Sequence, residues 1–198
     1  MSDETKVMLS GGELAMATDP GIILTKQAVM QKASVLFSSL IPAIQDAFSP
    51  VVSADKQLAA SVPKISKGEN YRGFPFVIMD HPAAFERDHI FALRTMFWWG
   101  HFISITLHLS GKYKNAFAEN IFVHGRKMPF YIVAGEEEWE HHFEEDNFKL
   151  FSSLTLEEIE AVSKKNYLKI ALKYELQDWN RMQQLLPEGY VQIAALLS

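Results

Sequence analysis

The sequence predicts an α+β fold: an antiparallel β-sheet of four or more strands, packed by an N-terminal helix and by C-terminal helices. Three observations predict it. Apolar residues recur at helical spacing near the start, strand-type alternation fills the aromatic middle, and helix signals resume after Gly135. The 198 residues and 48% hydrophobic content suffice for one domain with a sizeable core, and no linker divides them.

Residues 1–18 read as a flexible leader, with Gly11-Gly12 and little apolar content, and residues 19–198 as the single α+β domain. The first helix follows: Val29, Ala33, Leu36, Leu40, Ile44 and Ala47 form one stripe at helical spacing. Pro42 should kink or divide it, because proline removes a backbone donor, and Ser49-Pro50 should end it. Val51 to Gly73 is a polar connection with a short helical turn near Ala54 to Ala60.

Strands are predicted at Phe74 to Met79, Ile90 to Trp99 and Phe102 to Leu109, with Gly100-His101 as the turn between the last two. In the third, Ile103, Ile105, Leu107 and Leu109 alternate with Ser104, Thr106, His108 and Ser110, so one face meets the core and the other is polar. Asp80-His81-Pro82 reads as a turn or helix start and Ala83 to His89 as a short helix. A fourth strand is expected at Pro129 to Ala134. Three helices should close the chain: Glu136 to Leu154, one opened by the Thr155/Glu158 capping box, and Gln177 to Leu197, interrupted at Pro187.

Composition excludes several function classes. Without cysteine there is no disulfide framework, thiol nucleophile or thiolate zinc site, and the chain suits a reducing cytoplasm. Asp3, Glu4, Glu13 and Asp19 deny the first twenty residues the basic start and apolar run of a secretory signal. The apolar run Thr95 to Gly111 is broken by alternate polar residues, so the chain reads as soluble, with no membrane partner. Net charge is −5, and seven of the 24 acidic residues lie between Glu136 and Asp146, which leaves the rest balanced and without a footprint for nucleic acid.

No motif dictates a reaction. There is no G-x-S-x-G, H-E-x-x-H or G-x-G-x-x-G, and Phe74-Pro75 stands where a P-loop after Gly68 needs Lys and Ser/Thr. Glu138, His141, His142 and Glu145 have metal-ligand identities at helical spacing, and Glu-x-x-His occurs at Glu86 to His89 and at Glu138 to His141. The long first helix has no Glu between Ile22 and Phe48, so the carboxylate set of a di-iron bundle is incomplete, and the acidic run reads as an exposed helix face. No metal site and no cofactor are expected.

The sheet supplies the candidate ligand-binding residues. Thr106 and His108 project from one face, Arg94 joins them from the neighbouring strand, and Trp98 offers an aromatic surface. Tyr71 and Arg72 lie in the loop Ser66 to Gly73, whose amides suit a phosphate or carboxylate. The expected function is non-catalytic binding of a small anionic or aromatic ligand, or of a protein partner. The alternative is a small enzyme using His and Glu side chains, with metal assistance as one variant; a homodimer through exposed aromatics is a third expectation.

The run ISKGENYRGFPFVIMDHP followed by FALRTMFWWGHFISITLHLSGKYK resembles a family of small uncharacterised bacterial proteins of unknown function. The resemblance implies a bacterial cytosolic protein and transfers no catalytic residue. The order of helix, polar connection, Tyr-Arg-Gly-aromatic-Pro and aromatic strands is similar in topology to the YktB-like family, itself of unknown function; Asn70 to Pro75 departs from that family's Arg-Gly-Tyr-Lys order.

Overall fold

The computed structural model describes residues 7–198; the rest of the expected leader, residues 1–6, lies outside the described residues. Seven antiparallel strands form one sheet: β1 (Lys64–Tyr71), β2 (Phe74–Phe85), β3 (Ile90–Trp98), β4 (Phe102–Ser110), β5 (Tyr131–Val133), β6 (Phe148–Leu150) and β7 (Tyr167–Glu175). Their order is β1-β2-β3-β4-β7-β5-β6, so a four-stranded meander is followed by the late strand β7, which lies between β4 and β5. The helices are α1 (Gly11–Thr18), α2 (Pro20–Ala54), α3 (Lys56–Ala59), α4 (Gly111–His124), α5 (Leu156–Lys164) and α6 (Met182–Ala194). The fold is α+β, with helices before and after the antiparallel strands as the sequence predicts.

Alternation along the strands decides what each face of the sheet meets. Met79, Thr95, Ile105 and Leu172 share one row, and their face packs against α2, α4 and α6. There Ala33, Phe37, Leu40, Ile44 and Phe48 of α2 join Met182, Leu186, Tyr190 and Ile193 of α6 in the main core. The adjoining positions Asp80, Arg94, Thr106 and Ala171 form a row on the opposite face, and Ala92, His108 and Lys169 form the next.

Several elements differ from the sequence expectation. Within the segment read as a flexible leader, Gly11–Thr18 is helical, fixed by a capping box between Ser10 and Glu13. Helix α2 runs through Pro42 and Pro50 instead of stopping there, because Ile44 and Phe48 beyond the first proline are buried and packing outweighs the lost donors. Helix α6 likewise continues through Pro187. Strand β2 extends to Phe85, where a turn and short helix were expected, with a register shift between Asp80 and Ala83. The connection before Phe74 contains β1, and α4 and β7 arise where no element was anticipated. Thr155 and Glu158 do form the capping box that their spacing predicts.

The largest difference lies at Glu136 to Leu154. This stretch is not a helix: residues 134–147 form an irregular strap, and Phe148 to Leu150 pair with β5. Phe143 explains the choice, since it stacks on Phe148 at 4.7 Å and meets Phe102 and Tyr131 edge-on at 4.9 and 5.0 Å. A helix would present that ring to the sheet only by turning the strap's carbonyls and carboxylates away from the donors beneath them.

Candidate functional site

The strap covers the polar sheet face that the sequence leaves open to solvent. All nine residues of β4 are buried, Ser104, Thr106, His108 and Ser110 included, so the polar face is an internal surface. Its alternation follows from polar residues meeting a polar strap.

Three sequence-predicted residues, Arg94, Thr106 and His108, come together here. With Phe85, Ala92, Trp139, His141 and Lys169 they line a cavity of about 10 Å³, room for roughly one water. Arg94 binds Asp80 across the β2–β3 pair through Nε to Oδ1 at 2.7 Å and Nη2 to Oδ2 at 2.9 Å, while Nη1 lies 2.8 Å from Nε2 of His141 in the strap. That last bond requires His141 to be neutral and accepting. His108 Nε2 stands 2.8 Å from Glu138 Oε1, and the Lys169 ammonium donates to the backbone oxygens of Glu138, at 2.9 Å, and of Glu140.

Burial sets the protonation states. It drives the His108 pKa down to about 3, assisted by the charges of Lys169 and Arg94. The His108–Glu138 contact is therefore a neutral imidazole N–H donating to a carboxylate, not an ion pair. Burial, followed by Arg94, holds His141 well below the usual histidine range. Lys169, only 1% exposed, is lowered to about 7 by burial and then by Arg94, with Glu138 and Glu140 acting in the opposite sense. Glu138 is raised by burial and lowered in part by Lys169.

The remaining predicted residues sit farther along the same strap. Tyr71, at the end of β1, accepts from the backbone N–H groups of His141 at 2.7 Å and His142 at 3.1 Å and donates to Glu140 Oε2 at 2.6 Å. Arg72 pairs with Glu144 at 3.0 Å. The loop expected to cradle an anion is instead strand and turn: Gly68 lies in register with Phe76, and Arg72 and Gly73, with φ of 49° and 90°, make the reversal into β2. Trp98 is 3% exposed, stacks on His101 at 3.5 Å and donates to the Tyr71 carbonyl at 3.1 Å, so its faces are already occupied.

Sequence reasoning missed Asp80 and Lys169. Lys169 had a readable signal, a single lysine in the otherwise apolar run from Leu168 to Leu172. Of the metal-type residues, His142, Glu144 and Asp146 place donor atoms within 4.8 Å of one another. His142 Nδ1 already accepts from the Glu144 N–H at 3.3 Å and Glu144 is held by Arg72, so two of these three donors are engaged internally.

The chain matches no family model, no curated protein and no solved structure closely enough to show relatedness.

Proposed function

We propose that this chain is a non-catalytic binding domain whose polar sheet face takes a small carboxylate-type anion in place of the strap's own acidic side chains. One observation carries the reading: His108, Tyr71 and Arg72 each hold a strap carboxylate, from Glu138, Glu140 and Glu144 respectively. A face that recognises carboxylates supplied by its own chain has the donors to recognise free ones, and the strap then competes with ligand. The occupied faces of Trp98 favour an anionic over an aromatic ligand. A reducing bacterial cytosol suits the cysteine-free sequence.

Calorimetric titration with mono- and dicarboxylates and inorganic phosphate tests this. Glu140→Gln removes a competitor, so it should bind the same anion more tightly than the unaltered chain, whereas Arg72→Ala should bind it more weakly. No binding by either the unaltered chain or Glu140→Gln would discard the reading. The second reading, a small enzyme, draws on Lys169, whose pKa near 7 suits proton transfer. It requires the strap to open, because the closed cavity of about 10 Å³ holds no substrate.

A further inference from the structure

Two half-exposed aromatic rings stand at the rim of the buried charge cluster. Of the Phe and Trp side chains among the described residues, only Phe74, Phe85 and Trp139 are exposed. Phe85 and Trp139 lie together, both 52% exposed, with ring centroids 6.5 Å apart and planes inclined at 39°. Both line the cavity of Arg94, His108 and Lys169, and the Trp139 ring meets the His108 ring edge-on at 5.2 Å. An open aromatic pair beside a buried hydrogen-bond donor joins an apolar wall to one directed polar group, the composition of a small-ligand site. The aromatic surface that Trp98, with its faces occupied, does not offer is present here.

The wall and the donor can stay in place while the strap's own carboxylate leaves. Lys169 donates to the backbone oxygens on both sides of Trp139, those of Glu138 and Glu140, and so fixes the strap's backbone at the ring. The side chain of Glu138 is held differently: its Oε1 meets His108 Nε2 at 2.8 Å, yet it is 32% exposed. Rotation about its own bonds carries that carboxylate into water without opening the strap. Burial raises Glu138, so the move relieves its desolvation.

Its departure leaves a charge to be matched. Arg94 is matched by Asp80 through two hydrogen bonds, whereas Glu138, followed by Glu140, offsets the Lys169 ammonium. With Glu138 turned out, the N–H of a neutral His108 loses its acceptor beside a buried cation, a position that favours another carboxylate. We propose that His108 binds the carboxylate of an aryl-substituted acid in place of Glu138, with the acid's ring lying on Trp139 and Phe85. This rests on the carboxylate-binding reading above and adds to it the ligand's apolar half.

Calorimetric titration of the full chain with phenylacetate, acetate and benzyl alcohol separates the two halves. Phenylacetate should bind about tenfold more tightly than acetate, and benzyl alcohol, which has the ring without the charge, should not bind. Trp139→Ala should bring phenylacetate down to the affinity of acetate and leave acetate unchanged, and Phe85→Ala should lose part of the same preference. Both rings are half exposed, so neither variant should lower the melting temperature. Glu138→Ala removes the competitor and should tighten both acids. Equal affinity for the two acids in the unaltered chain and in Glu138→Ala overturns the assignment and leaves the carboxylate reading standing, as does a preference that survives in both Trp139→Ala and Phe85→Ala. Benzyl alcohol binding as tightly as phenylacetate means that the ring is held without His108 and overturns it equally. If neither acid binds the unaltered chain or Glu138→Ala, the carboxylate reading falls and takes this assignment with it.

Discussion

Arg94 holds Asp80 through two parallel hydrogen bonds between directly paired residues of β2 and β3, and the third donor of the same guanidinium reaches His141 of the strap. One cation thus joins two central strands to the segment lying over them. Both partners are mostly shielded, at 17% and 14% side-chain exposure, so removing one strands the other. Arg94→Met should cost about 3–5 kcal/mol in urea unfolding, and the double variant Arg94→Met/Asp80→Leu clearly less than the sum of the two single changes. Additive costs would mean that the pair is not coupled. Lysine is no substitute, since it lacks the planar fork that satisfies Asp80 and His141 together.

Lys169 and His108 give the stability a definite pH dependence. Lys169 titrates near 7 in the folded chain against 10.5 unfolded, so below about 7 both states hold the proton and the cost of the buried charge is present in full. Between these values the unfolded state binds more protons, and stability rises with pH. His108, lowered to about 3 from 6.5, acts in the same sense on the acid side: its contribution is complete above 6.5 and is lost as pH falls towards 3. Glu138, raised by burial, works in the opposite direction within the acid range. Thermal unfolding should show a melting temperature that climbs between about pH 7 and pH 9, and Lys169→Met should flatten that climb. An unchanged slope in Lys169→Met would assign the dependence to other groups.

On the core side of the sheet, Thr95 Oγ1 and Tyr190 Oη lie 2.7 Å apart, the buried polar link between β3 and α6. Tyr190 is fully buried, so its hydroxyl has no recourse to water if the partner goes. Thr95→Val should cost about 1–3 kcal/mol, and adding Tyr190→Phe to it should recover part of the loss, because removing both polar atoms is cheaper than orphaning one. Chemical denaturation of the three variants reads this directly.

The β3–β4 hairpin was legible, and the rest of the meander only in part, because β3 and β4 obey simple rules: alternating or continuous apolar residues with a Gly-containing turn between them. The capping box at Thr155 was legible for the same reason, being a local hydrogen-bond exchange. The strap was not. Its wheel of acids and aromatics has helical spacing, but Lys169 and Arg94 lie far off in sequence, and only the assembled sheet shows that they bind its backbone and its histidine. The same cause hid the site's enclosure. Arg94, Thr106 and His108 were placed on one face by alternation alone, while what covers that face is settled by long-range pairing of β4 with β7.

Tyr71 gives the sharpest test of how firmly the strap is held. Its hydroxyl oxygen is the acceptor for the backbone N–H groups of His141 and His142, and its proton goes to Glu140. In Tyr71→Phe those two N–H groups lose their acceptor and Glu140 loses a donor, while the ring still fills its place against Trp98 and Phe76. The loss falls on strap contacts and not on the ladder between β3 and β4. Hydrogen exchange should therefore quicken about ten- to a hundredfold at the strap amides, the equivalent of about 1–3 kcal/mol, with the amides of β3 and β4 unchanged. A uniform acceleration across strap and sheet would mean that the strap opens only when the whole domain unfolds, and with it the idea of a face uncovered for ligand would fall.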